Sequence, residues 1–349
     1  MSIFEHGLYR EDISYVCGLD LPWDKFQDRS IMVTGATGMI GSFLIDCLME
    51  KNKEGLNCTV YAMGRDRGKF EKRLGRYSKD THCVFIEHDI NLEIDEEIET
   101  DYIIHLASNT HPVAYATDPV GTITTNIIGL RNLLEYAGKH KIIRLGFASS
   151  NEIYGENRGD VELFDEEYCG YINCNTLRAG YQESKRCGES LCQAYIRQRG
   201  VDSVIMRLTR SYGPTLLNTD SKALSQFLKN AVEGEDIVLK SKGTQYFSYT
   251  YMADAAAGIL YVMLKGETGE AYNISNEASD IMLKDLAGII AGFSKTKVVF
   301  DLPDEVEAQG FSTVTKARLS NEKIKKIGFV PEYDIVSGIE RTLMMMKEK

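Results

Sequence analysis

Short apolar runs alternate with amphipathic stretches through the first two-thirds of the chain. Residues 31–34, 58–63, 83–87, 102–107, 142–149 and 204–208 are apolar runs of strand length. Between them, 39–50, 122–140 and 178–198 repeat apolar residues at three- and four-residue spacing, the period of a helix with one buried face. Strands that are apolar along their whole length belong in a parallel sheet covered by helices on both sides. The pattern therefore predicts an α/β chain with a doubly wound parallel sheet.

Beyond about residue 209 the pattern loosens. Residues 221–233 and 283–293 predict helices, and 237–240 and 245–251 short strands. Residues 252–264 predict a helix that could return to the main sheet. The expected division has three parts: an N-terminal extension over 1–29 without an assigned role; a Rossmann-like nucleotide-binding domain over 30–208, completed by about 245–265; and a smaller C-terminal α+β substrate lobe from 209–244 and 266–349. A chain of 349 residues is long enough for this plan.

Charge narrows the partners. A formal net charge of -11 argues against nucleic acid, which needs a basic face. An anionic substrate must then be met by placed cations, because the overall field repels it. No apolar run approaches the roughly 20 residues of a membrane span. The first residues carry acids and lack the apolar core of a secretory signal, so a cytoplasmic protein is expected. The eight cysteines form no C-x-x-C pair and read as reduced, buried thiols. The histidines do not pair with cysteines at zinc spacing, so no metal is expected. Ser149 and Ser150 lack the G-x-S-x-G elbow of a hydrolytic nucleophile.

The first strand runs into Thr34-Gly35-Ala36-Thr37-Gly38-Met39-Ile40-Gly41. Glycine here permits a sharp turn, close approach of a pyrophosphate and tight helix–strand packing. The helix that follows offers free N–H groups and the positive end of its dipole. Gly35, Thr37, Gly38, Met39 and Ile40 are thus candidates to bind a dinucleotide. The second strand runs into Gly64-Arg65-Asp66-Arg67. With Gly64 where an acid would hold the ribose 2′-hydroxyl, and Arg65 beside it, NADP is favoured over NAD. Asp66 is the rival, should the register differ by two residues. Asp89 and Ile90, after the third strand, are candidates to bracket the adenine.

Tyr181 and Lys185 open a long helical pattern at i and i+4, on one helix face. A lysine ammonium so placed is expected to lower the phenol pKa and to grip the nicotinamide ribose. The phenol could then exchange a hydroxyl proton while a hydride moves. About 30 residues earlier, Ser149-Ser150-Asn151-Glu152-Ile153-Tyr154-Gly155 ends the fifth strand, where such a sheet presents side chains to a ligand.

TGATGMIG, HLASNTHP (105–112), SSNEIYG, YQESK and RSYGP (210–214) occur in this order. Together, over roughly residues 30–345, they resemble the extended short-chain dehydrogenases that modify nucleotide sugars. The stretch 178–186 is similar to UDP-glucuronate decarboxylases, and SSNEIYG also to GDP-mannose and dTDP-glucose 4,6-dehydratases. The resemblance implies Ser150 as the hydroxyl that bonds the reacting oxygen, Tyr181 as acid/base and Lys185 as its partner. It implies Glu152 as the acid that removes a proton beside a transient ketone. Asn126 is implied as a structural residue near the lysine, and Leu106, Ala107 and Ser108 join the cofactor set. Thr110, His111, Asn151, Arg178 and Arg210 form the substrate set. Most members carry Asn at 210 and, at 247, an arginine on the diphosphate; here they are Arg210 and Phe247. Either Arg210 takes over the phosphate contact, as a guanidinium suits phosphate oxygens, or the substrate is not a standard nucleotide sugar. In the family, helices matching 122–138 and 178–198 pair across a two-fold axis, so a homodimer is expected.

The function implied is oxidation of a nucleotide-linked sugar to a ketone, then dehydration, decarboxylation or epimerisation. A simple NADPH-dependent reductase is the alternative. A non-catalytic NADP sensor is a third reading, which the intact Ser150, Tyr181 and Lys185 set argues against.

Overall fold

The structure is a computed structural model and describes residues 3–95, 97–110, 112–217, 220–302 and 314–348. Seven parallel strands form the main sheet. They are β1 (Ser30–Thr34), β2 (Thr59–Gly64), β3 (Cys83–Glu87), β4 (Tyr102–His105), β5 (Arg144–Ser150), β6 (Ser203–Leu208) and β10 (Ala271–Ile274), in the order β3-β2-β1-β4-β5-β6-β10. The order reverses between β1 and β4, and that crevice, at the carboxyl ends of the strands, is where such sheets bind ligands. Helix α2 (Met39–Lys53) follows β1 directly, and α7 (Ala179–Arg199) leads into β6.

The small lobe holds β7 (Arg210–Tyr212), β9 (Tyr246–Tyr251), β11 (Asp280–Met282) and β13 (Lys316–Ala317), with β9 paired to each of the others. A separate parallel pair joins β8 (Ile237–Leu239) to β12 (Val298–Phe300). Residues 245–251 therefore do not complete the main sheet. Only the helix after them, α9 (Met252–Lys265), packs on it, against β5 and β6. Every residue of α9 from Met252 to Leu264 is buried, as expected for a helix that is apolar all round. It leads to β10, a strand too short to be legible in the sequence.

The N-terminal residues gain a role. Helix α1 (Gly7–Cys17) packs on α2 and α9. Its buried face is tied by polar contacts: Tyr9 donates to Asp46 at 2.6 Å, and Asp12 accepts from Tyr251 at 2.6 Å and from Arg341 at 2.8 Å. The segment thus joins the main sheet to the small lobe and to the last helix, Ile335–Lys347.

The stripe Leu130, Leu133 and Leu134 of α6 (Leu130–His140) is buried within the chain, packed with Leu191 and Tyr195 of α7. It is core and not a free dimer face. Cys169 and Cys174 are exposed, unlike the buried thiols expected, while Cys17, Cys47, Cys58, Cys83 and Cys192 are buried. Among the described residues, no helix is long and apolar enough to cross a membrane.

Candidate active site

The glycine turn forms one wall of the site. Gly35 adopts φ +68°, a left-handed conformation that costs other residues energy. A Cβ on it would lie 2.8 Å from the backbone nitrogen of Ala107, so the turn is pressed against the end of β4. A Cβ on Gly41 would lie 2.4 Å from the carbonyl oxygen of Gly35. Gly38 caps α2 without a side-chain bond, and the first turn of α2 carries no acid. The helix thus presents bare N–H groups at a turn too close-packed for side chains, which suits the pyrophosphate of a dinucleotide. Arg73 of α3 (Arg67–Leu74) braces the turn by donating to Thr37 O at 2.8 Å and also to Thr215 O in the small lobe.

At the adenosine end, Gly64 closes β2. Asp66 accepts from Lys69 N at 2.9 Å as the N-cap of α3. Asp89 is engaged in its own turn, accepting from Asn91 N and Nδ2 at 3.0 and 2.9 Å. Ile90 packs against Gly129, where a Cβ would fall 2.6 Å from it. Leu106 and Ala107 follow β4 and are bonded to Thr34, at 3.3 and 3.2 Å from their backbone N–H groups.

Asn126 lies in a π-helical turn, Thr125–Gly129. Its amide donates to Ser184 Oγ at 2.9 Å and accepts from Ser108 Oγ at 2.8 Å. It therefore pins α7 to the loop after β4, one residue from Lys185. Thr110 is exposed in that loop, and His111 lies outside the described residues.

Strand alternation separates the two serines. Ser149 donates to Glu189 at 2.5 Å, away from the site. Ser150 ends β5, caps the short helix Asn151–Tyr154 by accepting from Glu152 N at 3.2 Å, and its hydroxyl acts on the phenol of Tyr181. Tyr181 is buried, and its ring stacks on Tyr115 with centroids 4.8 Å apart. Burial first, then the Glu152 carboxylate, push its phenol up to about 12, against the Ser150 hydroxyl and the charge of Arg178.

This corrects the expected Tyr–Lys partnership. Lys185 donates to Ala148 O at 2.7 Å and lies over the Phe147 ring at 4.8 Å. It is not among the leading groups that shift Tyr181. Burial instead lowers its own ammonium to about 7. A lysine lowered from 10.5 to about 7 loses native stability as pH falls between those values. Lys185→Met is expected to raise the melting temperature by a few degrees at pH 6. The gain should grow as pH falls from about 10 to about 7 and level off below; calorimetric melts across that range check it.

Glu152 and Arg178 form an ion pair in which both carboxylate oxygens accept from Nη2 at 2.9 Å. The Arg178 guanidinium covers Tyr115 at 4.6 Å. Arg210 lies on the Phe247 ring at 3.6 Å, so these two positions, picked out separately in the sequence, touch. Asn151, Glu152, Gly155, Gln182, Arg210 and Ala317 line one cavity, with Val314. Tyr115, packed on both Tyr181 and Arg178, was not found by sequence reasoning. It stands in a short helix, Pro112–Thr117, outside every motif.

The profile of the NAD dependent epimerase/dehydratase family matches residues 31–275. UDP-glucuronic acid decarboxylase 5 of Arabidopsis thaliana is 30% identical over 312 residues, covering 88% of this chain and 86% of that protein. UDP-glucuronic acid decarboxylase 1 of Xenopus tropicalis is 30% identical over 327 residues, covering 92% and 73%. The fold matches DesIV, a dTDP-glucose 4,6-dehydratase from Streptomyces venezuelae solved with NAD, at TM-score 0.77 and 23% identity, over 91% of this chain and 97% of that one. It matches UDP-glucuronic acid 4-epimerase from Bacillus cereus, solved with UDP-glucuronic acid and NAD, at TM-score 0.79 and 21% identity, over 91% and 99%. With its glycine turn, its buried Ser150 and Tyr181 pair and a match over most of its length, the chain belongs to the NAD dependent epimerase/dehydratase family of enzymes.

Proposed function

We propose that this enzyme decarboxylates a nucleoside-diphosphate hexuronate through a 4-ketone. The Glu152–Arg178 ion pair carries the reading. Loss of water from a neutral hexose needs a free carboxylate base at C5 and an acid for the departing hydroxyl. Here both oxygens of Glu152 are taken by Arg178, and the adjacent Asn151 is an amide. Among the described residues that line the cavity, Glu152 is the single carboxylate.

Decarboxylation needs neither group. Tyr181 Oη, as the phenolate that the positive charge of a bound oxidised nicotinamide would favour, takes the proton of the C4 hydroxyl, with Ser150 Oγ aligning that oxygen. A bound nicotinamide supplies the hydride acceptor. The sugar is then a β-keto acid: its C5–C6 bond breaks, the electron pair passes to the C4 oxygen, and carbon dioxide leaves. Tyr181 and Ser150 stabilise that oxyanion by hydrogen bonding. A proton from water is added at C5. The decarboxylase relatives, and two guanidinium groups beside Glu152 in a net-negative chain, support an acidic sugar.

NADP is the proposed cofactor. Asp66 is engaged as a helix cap, Gly64 offers no carboxylate, and Arg65 is exposed at the end of β2. We also propose a homodimer through the exposed apolar side chains Val120, Ile123 and Ile128, which precede α6. Mass in solution checks this.

The test incubates the protein with UDP-glucuronate, UDP-glucose or dTDP-glucose, each with NADP+ or NAD+, and reads products by mass. The expected result is loss of carbon dioxide from UDP-glucuronate alone, at lower NADP+ than NAD+. Loss of water from either neutral sugar would overturn the decarboxylase reading, and tighter use of NAD+ the cofactor reading.

A further inference from the structure

Arg210 opens β7 and stands opposite Tyr249 in the parallel pairing of β7 with β9. Phe247, two residues before Tyr249, shares that face of the strand and offers its ring to the guanidinium at 3.6 Å. Stacking on a ring leaves the N–H edge of a guanidinium free to bond in its own plane. Nη1 is buried and has no hydrogen-bond partner. A buried N–H of a cation left unbonded is costly, and proteins keep such groups where a ligand completes them.

The surroundings say where that ligand reaches. Arg210 lines the cavity with Asn151, Glu152 and Gln182. Burial lowers its pKa, while Tyr249, Glu152 and Tyr115 oppose and Arg178 adds to the effect. Tyr115 is stacked on Tyr181. The guanidinium is thus electrically coupled to the reacting end of the site. Arg178 faces the same region, but its charge is met by Glu152. Arg210 has no carboxylate bonded to it among the described residues.

We propose that Arg210, seated on Phe247, binds the carboxylate of the substrate's uronic sugar and so selects an acidic sugar over a neutral one. The assignment rests on the decarboxylase reading above, and it replaces the expected contact of Arg210 with the diphosphate. It has a kinetic corollary. The contact is made to the carboxylate in the ground state and is lost as neutral carbon dioxide departs. Removing it should raise KM without lowering kcat.

The test uses the NADP+-loaded protein and three probes: UDP, UDP-glucuronate and UDP-glucose. Calorimetry compares the wild type with Arg210→Gln and Arg210→Lys. The wild type is expected to bind UDP-glucuronate more tightly than UDP-glucose. Arg210→Gln should weaken UDP-glucuronate by about tenfold or more, the loss of one charge-assisted contact. It should leave UDP and UDP-glucose unchanged and remove the preference between the two sugars. Arg210→Lys should keep part of that preference. If Arg210→Gln weakens UDP by the same factor as UDP-glucuronate, the guanidinium holds the diphosphate and the proposal falls alone. The same follows if Arg210→Gln keeps the wild-type preference. If the wild type binds the two sugars equally, the uronate reading falls and takes this assignment with it. Should Arg210→Gln melt at a much lower temperature, Phe247→Leu gives the decision, since it removes the platform and keeps the charge. A several-fold loss confined to UDP-glucuronate supports the proposal, and an equal loss for UDP overturns it.

Discussion

Tyr181→Phe is expected to lower turnover of UDP-glucuronate by about 10²–10⁴-fold, the range for removing a positioned general acid/base. The reason lies in the placement of one oxygen. The ring of Tyr181 is fixed by stacking on Tyr115, and the Ser150 hydroxyl acts on its phenol. Among the described residues the groups beside it are engaged: the Tyr115 ring lies between Tyr181 and Arg178, and Glu152 is bonded to Arg178. Phenylalanine keeps the stack and the volume, so affinity for nucleotide and cofactor should stay within about twofold, far below one hydrogen bond's worth. Stopped-flow absorbance of the reduced nicotinamide, with calorimetry for binding, separates the two effects. A variant that retains a tenth of wild-type turnover would move the proton transfer to another group.

Gly35→Ala is the second large effect. At φ +68° an alanine costs about 1–2 kcal/mol by itself. The added Cβ would also lie 2.8 Å from Ala107 N and 2.9 Å from Leu106 C, both backbone atoms that cannot rotate away. The turn must then lift from the end of β4, moving the bare N–H groups of α2 off the pyrophosphate. The expected outcome is at least about tenfold weaker cofactor binding, from one misplaced charge-assisted contact. A stability loss of about 2–4 kcal/mol should accompany it, by strain and overpacking together. Gly55 is the control: it also has positive φ, +99°, but a Cβ there meets nothing within 4 Å. Gly55→Ala should cost stability and leave the cofactor affinity unchanged. Equal affinity losses in the two variants would mean that backbone strain, and not the close approach at β4, is what counts.

Much of the scaffold follows from local pattern. Apolar runs gave six strands of the main sheet, because a strand buried on both faces needs apolar residues at every position. The glycine turn was legible because its backbone demands are met by residue type, without help from distant parts of the chain. The i, i+4 spacing placed Tyr181 and Lys185 near one another, and Ser150 at a strand end.

The sequence by itself, then, determined six strands of the main sheet and the glycine turn, and named the candidate reacting side chains. What it could not determine is what those side chains touch. Lys185 lies on the same helix as Tyr181, yet a backbone carbonyl 37 residues away, that of Ala148, holds its ammonium. Tyr115, Arg178 and Glu152 come from three separate segments and set the electric field at Tyr181 only once packed. Arg210 and Phe247 read as two unrelated departures, and pairing of β7 with β9 joined them. Strand β10 and helix α1 were not assigned, because a four-residue strand and a helix tied by buried Tyr–Asp contacts leave little periodic signal. Periodicity records which face of a local element is buried. Charge, burial and hydrogen bonding at a site depend on contacts between elements far apart in the chain, and only the tertiary structure decides them.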